Sequence, residues 1–462
     1  MSGPILALDA GTTACKGVLA RDDGTPESLA VLPYAAGDPT RDPAVWWETL
    51  SRVVEQVCAA AAPPPGAVAL CGRGGGLACL DDGGTPVPLP WSTILEGARA
   101  RPIDAPAHQR LASWGAIYAE AQVRAPAAAS RIARLCGVKD YLNYRLTGVW
   151  ATDASSAGCR EWPRDLAPFG LRAGMLPPIR PGTERLGPLS GGAGLPLPAG
   201  IPVCVGGHDG VCANLGAGRL DVGDGCITLA TNGVVRVNTR IPVYPTPRFH
   251  TFTYPYLGEM WTSGGDVPAG GSAVGWAARL LGVHDGNPLT TEAALRRFDA
   301  LAAGAPPAAR GLLFLPYLRG ALSPARDLDR RGAFLHLDLR HGREDAARAV
   351  LEGVAFALRH IRDALERSGQ AIGQLCVTGG GSRSRVWTQI VASVLDQPLC
   401  FVEPEASARG AALLAAVGLG RFPTIAAAAE AMVRGAGTVD PDPTWTAVYR
   451  DAYARYLDAA TS

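Results

Sequence analysis

One stretch constrains this chain more than any other: Val203-Cys204-Val205-Gly206-Gly207-His208-Asp209-Gly210. An apolar run of strand character ends in two glycines, and a carboxylate then stands where an alanine-rich helix pattern begins. Strand, tight turn and helix together form the building unit of an α/β protein, and they deliver one side chain to the end of a sheet. Two further glycine turns flank it in sequence, Leu8-Asp9-Ala10-Gly11-Thr12-Thr13 and Thr378-Gly379-Gly380-Gly381-Ser382. A carboxylate between two turns able to offer backbone N–H groups to phosphate points to phosphoryl transfer onto a hydroxyl.

The local patterns around these turns are readable. Residues 5–8 form a buried strand, Gly11 to Thr13 a turn and Lys16 to Ala20 a returning strand, with Asp9 at the tip of the hairpin. Val45, Trp46, Leu50, Val53, Val54 and Val57 recur at helical spacing over 43–61, after the start signal Asp42-Pro43. Ala67 to Leu70 is the next strand, and a glycine-rich loop follows from Gly72 to Gly76. A second strand-turn-strand spans Cys226 to Val237 with Thr231-Asn232-Gly233 at its turn. Its Ile227 to Gly233 is a short echo of Leu6 to Thr12, hinting at two halves that open alike. Glu344 to Arg367 carries the longest helical stripe. Leu375 to Val377 is a short strand feeding the triple glycine, and Val386, Ile390, Val391, Val394 and Leu395 mark the helix beyond it.

At 462 residues the chain is long for one core, which predicts two or three domains. Forty-three basic against forty-two acidic side chains argue against bulk electrostatic binding of nucleic acid. No apolar run is long enough to span a membrane, and Met1-Ser2-Gly3-Pro4 lacks a basic signal-peptide start, so a cytoplasmic protein is expected. Eleven cysteines without a C-x-x-C pair read as reduced, buried thiols and give no zinc pattern.

Each motif has a plainer reading beside the functional one. Asp209 after a glycine turn also serves as an ordinary helix N-cap, and His208 beside it as a packing or orienting residue. Gly11-Thr12-Thr13 with Lys16 equally describes a hairpin turn with an exposed lysine, and Gly379-Gly380-Gly381 a tight turn. G-x-x-x-x-G-K-[ST] is absent, which excludes a P-loop enzyme, and G-x-S-x-G is absent too. Gly72-Arg73-Gly74 begins like a dinucleotide fingerprint but has Leu at position 77.

Taken together, the pieces resemble the FGGY family of carbohydrate kinases in order and spacing over nearly the whole chain. Leu8 to Lys16 resembles the family's opening hairpin, Lys139-Asp140-Tyr141-Leu142-Asn143-Tyr144-Arg145-Leu146-Thr147-Gly148 its first-domain signature, and Gly206-Gly207-His208-Asp209 its catalytic-aspartate segment. Ala269-Gly270-Gly271-Ser272, Leu313 to Leu318, Glu352-Gly353-Val354-Ala355 and Gly379 to Ser384 are similar to second-domain segments. The resemblance implies an α/β fold of two ribonuclease-H-like, actin-like ATPase domains around a central cleft. These are a sugar-binding domain over 1–216 and a nucleotide-binding domain over 217–462. It implies ATP and Mg2+, with Asp209 as general base and Asp9 and Asp209 near the metal. Gly11, Thr12, Thr13, Lys16, Thr231, Gly233, Gly271, Gly380, Gly381 and Ser384 would lie along the phosphates and nucleotide. Arg73, Gly74, Trp91, His208 and Asp209 would meet the acceptor, and relatives are often homodimers.

The sequence departs from the family around the acceptor. Arg73-Gly74-Gly75-Gly76 stands where many relatives have Gln-Met-His-Gly, and Trp91-Ser92-Thr93-Ile94-Leu95 where Trp-x-Asp-x-Arg is common. Gly320-Ala321-Leu322 replaces a Gly-Glu-Arg loop. A pentulose such as xylulose is the default acceptor. Arg73 raises a sugar acid instead, through bidentate pairing with a carboxylate, against a plain reading as a solvated loop residue. A nucleotide-binding regulator that has lost sugar phosphorylation is the alternative from another class, and an actin- or chaperone-like ATPase a third.

Overall fold

The computed structural model describes residues 3–34, 42–59, 63–101, 105–246, 249–283 and 292–461. Its chain divides into two compact units, the first made of 1–218, 254–257 and 405–433 and the second of 219–253, 258–404 and 434–462. A single cut at 216/217 describes neither unit fully, because the helix Ala406–Gly418 returns to pack on the helix Asp209–Gly216 and the strand Ile5–Ala10 of the first unit.

The first unit is built on six strands in the order Pro26–Pro33, Ala14–Ala20, Ile5–Ala10, Ala67–Gly72, Pro202–His208, Arg185–Pro188. Ile5–Ala10 pairs antiparallel with Ala14–Ala20 and parallel with Ala67–Gly72, which in turn lies parallel to Pro202–His208. These central strands are buried on both faces, so they read as unbroken apolar runs rather than alternating ones. The helix Pro43–Ala59 buries Trp46, Leu50, Val53, Val54 and Val57 against the hairpin. Its close approach needs Gly17, where a Cβ would stand 2.6 Å from Val53. The helical pattern expected over 43–61 is described as far as Ala59, and 60–61 lie outside the described residues.

In the second unit the strands Trp261–Val267, Gly233–Thr239, Gly225–Leu229, Leu375–Thr378, Leu399–Val402 and Gly435–Val439 lie side by side in that order. Gly225–Leu229 forms a hairpin with Gly233–Thr239 and runs parallel to Leu375–Thr378 on its other side. This repeats the arrangement around Ile5–Ala10, so the short sequence echo between Leu6 to Thr12 and Ile227 to Gly233 marks the same structural unit used twice. The helix Arg343–Arg367 packs Val350, Val354, Leu358 and Ile361 into the core of this unit.

Two expectations change. Asp9 is not at the hairpin tip but inside the first strand, 5% exposed. The cysteines are not all reduced thiols, because Cys376 and Cys400 form a disulfide. Parallel pairing of Leu375–Thr378 with Leu399–Val402 sets these two opposite each other with Cα atoms 4.5 Å apart. No spacing of the cysteines signals this pair, since adjacency across parallel strands leaves no short motif to read. No helix among the described residues is long and apolar enough to cross a membrane.

Candidate active site

The first hairpin carries a partly buried charge cluster. Asp9 pairs in register with Lys16, and Lys16 Nζ lies 2.7 Å from Glu405 Oε2. Burial pushes the Asp9 carboxyl up to about 7; Lys16 opposes the shift, and the Asp209 and Glu405 carboxylates add to it. Asp9 Oδ1 is buried without a hydrogen-bond partner. Beyond it, Thr12 and Thr13 are exposed at the turn.

Arg73 holds that turn from behind. Its Nη1 donates to the carbonyls of Gly11 at 3.1 Å and Thr12 at 3.0 Å, and its Nε to Gly75 O at 2.8 Å. The guanidinium lies 5.5 Å from the Tyr34 ring centroid and 5.7 Å from that of Trp46. At 6% exposure Arg73 is not the solvated loop residue of the plain reading, and these donors are committed to backbone. In a trans peptide the N–H points opposite to the C=O. With the Gly11 and Thr12 carbonyls drawn to Arg73, the amides of Thr12 and Thr13 face the other way.

Asp209 is delivered by the strand Pro202–His208 and opens the helix Asp209–Gly216. A register irregularity between Cys204 and Gly207 re-aims the strand end, and Gly206 adopts φ +73 where its α-carbon passes over the Leu70 carbonyl. Its side chain is 27% exposed, at the end of a strand that is wholly buried. Asp209 Oδ1 accepts the Gly210 N–H at 2.6 Å. The Lys139-to-Gly148 signature proves to be the support beneath this strand. Lys139 Nζ and Asn143 Nδ2 donate to Val205 O at 3.1 and 2.9 Å, and Lys139 also meets Asp140 at 2.8 Å and Asp153 at 3.2 Å. Burial disfavours the Lys139 charge, but the two aspartates outweigh it and hold its pKa above the usual value. Asp153 further binds Ser155, whose Oγ accepts the His208 N–H at 2.9 Å.

His208 Nδ1 accepts the Gly210 N–H at 3.1 Å, which leaves the proton of the neutral ring on Nε2. The ring stacks on Tyr254 at 4.2 Å between centroids. Gly74 lies beside it, its carbonyl accepting from Arg110 Nη1. Trp91 starts the helix Trp91–Ala100 and packs against a separate apolar cluster that includes Leu77 and Trp114. Sequence reasoning missed Arg110, Tyr254 and Glu405.

Within the second unit, three turns converge at the ends of neighbouring strands. The Ala230–Gly233 turn receives Gly271 N on the Ala230 carbonyl at 2.6 Å and Ser272 N on that of Thr231 at 3.1 Å. Gly233 packs its α-carbon towards Leu358 and Val267. Gly379, at φ +86, crosses the Leu229 carbonyl, Gly380 has open space where a side chain would be, and Gly381 packs on Trp387. Ser384 Oγ caps the next helix by accepting the Trp387 N–H at 3.0 Å and donates to Asp299 at 2.7 Å. Thr231, Gly271 and Gly380 thus lie at turns beside neighbouring strand ends, whereas Gly381 and Ser384 are buried beneath them.

Comparisons with known proteins agree across the chain. Residues 122–216 match the model of the FGGY family of carbohydrate kinases, N-terminal domain, and 226–419 that of its C-terminal domain. Xylulose kinase of Staphylococcus epidermidis is 27% identical over 98% of this chain and 95% of its own length. Gluconokinase of Bacillus subtilis is 28% identical over 65% of this chain and 62% of its own. The crystal structure of xylulose kinase from Rhodospirillum rubrum superposes with a TM-score of 0.81 at 29% identity, covering 99% of this chain and 98% of that one.

Proposed function

The chain belongs to the FGGY family of carbohydrate kinases, and from that premise we propose that it transfers the γ-phosphoryl group of MgATP to a hydroxyl of a small sugar or polyol, with Asp209 as base. The observation that carries this reading is the placement of Asp209. It is partly exposed at the end of a buried strand, and its charge is one of those that raise the pKa of the buried Asp9 in the first hairpin. A carboxylate there accepts the proton of the attacking hydroxyl and orients its oxygen for in-line displacement.

The remaining roles follow from the residues' surroundings. The outward-facing amides and hydroxyls of Thr12 and Thr13, with Lys16 beside them, suit phosphate oxygens, and Arg73 positions that turn through its carbonyls. Thr231, Gly233, Gly271, Gly380, Gly381 and Ser384 are assigned to the nucleotide. Among the described residues no group of three or more His, Cys, Asp or Glu side chains is set to hold a metal. Mg2+ does not need one: it binds through one or two carboxylates together with substrate phosphates and water. Asp9, with an unpartnered buried oxygen, and Asp209 fit that role. When bound, the ion would neutralise charge building on the phosphates. A cytoplasmic setting accords with the use of ATP.

Xylulose, the acceptor in several relatives' names, is the default; gluconate is the other that those names supply. The test is MgATP-dependent ADP release across ketoses, aldoses, polyols and sugar acids. Acceptor-dependent turnover supports the kinase reading. Nucleotide binding with no acceptor-dependent turnover on any member sinks it in favour of a regulatory protein.

A further inference from the structure

Lys16 stands directly opposite Asp9 in the first hairpin, where side chains of opposite charge ordinarily pair. Lys16 Nζ instead lies 2.7 Å from Glu405 Oε2, and Asp9 Oδ1 stays buried without a hydrogen-bond partner. An ammonium has three donors, and the Lys16 side chain is 31% exposed. One donor goes to Glu405 and the others remain available to a ligand.

Glu405 is fixed where it can hold this lysine. It precedes the helix Ala406–Gly418 with φ +63 and ψ 43, and its side chain makes no capping bond. Glycine is the usual residue in this left-handed region, so a glutamate here works against its own backbone preference. The helix it opens lies in backbone contact with the helix Asp209–Gly216. A Cβ on Gly216 would stand 1.9 Å from the Ala406 carbonyl oxygen, and one on Gly410 1.9 Å from that of Cys212. Arg409 Nη1 donates to the Gly216 carbonyl at 2.9 Å. The carboxylate that takes Lys16 is therefore anchored to the same framework as Asp209. We propose that Glu405 is a positioning residue for phosphoryl transfer, drawing the Lys16 ammonium off Asp9 so that the cation is left for phosphate and the Asp9 carboxylate for Mg2+. Without Glu405, Lys16 turns to its cross-strand neighbour, and the new ion pair takes the oxygen that the metal needs. This rests on the kinase reading above and adds a role that reading does not contain.

The experiment measures ATP affinity by titration calorimetry, with and without Mg2+, for the wild type, Glu405→Gln, Lys16→Met and the variant carrying both changes, with thermal midpoints to check folding. The ratio of the two dissociation constants reads the metal's contribution to binding. Glu405→Gln is expected to lower that ratio about tenfold, because a lysine then occupies a carboxylate ligand of the metal. In the double variant no ammonium reaches Asp9, and the ratio returns towards that of Lys16→Met alone. A merely structural role for Glu405 would not produce this recovery. Glu405→Gly, suited to the left-handed backbone, serves if Glu405→Gln does not fold. An unchanged ratio in a folded variant lacking Glu405, or a double variant as impaired as Glu405→Gln, overturns the positioning role. A wild type whose ATP affinity ignores Mg2+ overturns it too. No sugar is present in these titrations, so a failure of acceptor-dependent turnover, which would sink the kinase reading, leaves this result readable.

Discussion

Arg73 and Thr12 are far apart in sequence, yet the Arg73 guanidinium donates to the Thr12 carbonyl at 3.0 Å from inside the protein. That single bond, with its twin to Gly11, decides which way the first hairpin turn presents its amides. The residue that looked like a candidate for the sugar holds the backbone of this turn through its guanidinium.

Arg73→Leu removes two charge-assisted bonds from the turn and a buried cation from between Tyr34 and Trp46. Such bonds are worth about 1.5–3 kcal/mol each. The expected outcome is a KM for MgATP raised at least about tenfold, since each 1.4 kcal/mol is a factor of ten, with a lower thermal midpoint. Arg73→Lys restores the charge but not the fork, and recovers only part. An unchanged nucleotide KM in a folded Arg73→Leu protein would contradict the positioning role.

Asp9→Asn keeps the size of the side chain and removes its charge. The account expects the Mg2+ concentration giving half-maximal activity to rise about tenfold or more, because a carboxylate ligand is lost. Chelation of Mg2+ is expected to stop turnover in the wild type. Titration of activity with Mg2+ at fixed ATP reads both, and identical curves for the two proteins would remove Asp9 from the metal site.

Lys139 sits under the Asp209 strand at 2% exposure, between Asp140 and Asp153. Lys139→Met leaves two buried carboxylates facing each other without a cation. Breaking a buried pair from one side costs about 3–5 kcal/mol, so a large drop in the denaturant midpoint is predicted. Adding Asp140→Asn and Asp153→Asn to Lys139→Met, a triple variant, is expected to recover part of that loss.

His360, on the long helix Arg343–Arg367, gives a pH signature. Burial first, then the charge of Arg367, lowers its pKa to about 4, with Arg330 acting the same way and Asp363 opposing. In the unfolded chain the value returns to about 6.5. Between those values the unfolded state binds the extra proton, so this contribution to stability is full above about 6.5 and is lost as pH falls towards 4. Urea unfolding of wild type and His360→Gln over pH 4–7 checks it. The variant is expected to show a flatter acid limb, and parallel limbs would contradict the buried neutral imidazole.

Much of this was legible in the sequence because it is local. The hairpin around Gly11, the strand into Asp209, the helix ending at Arg367 and the triple-glycine turn are each written in consecutive residues. The Lys139-to-Gly148 segment was recognisable by resemblance, but its task beneath Val205 became visible only in three dimensions. Arg110, Tyr254 and Glu405 were missed for one physical reason: each reaches the site from a distant part of the chain, with no short motif around it. Arg73 was noticed, but nothing in Arg-Gly-Gly-Gly tells that its guanidinium faces inward onto the Gly11 and Thr12 carbonyls. The Cys376–Cys400 bond depends on strand register, which spacing does not reveal.

The most direct test of the central claim is a comparison of wild type with Asp209→Asn. Acceptor-dependent ADP release and nucleotide affinity are measured on the same samples. The amide keeps the shape and an oxygen for the Gly210 N–H but cannot take up the hydroxyl proton. The account predicts a fall in kcat of at least about 10²–10⁴-fold with nucleotide affinity retained. Turnover within a few-fold of wild type would show that Asp209 serves only the start of the helix and that the base lies elsewhere.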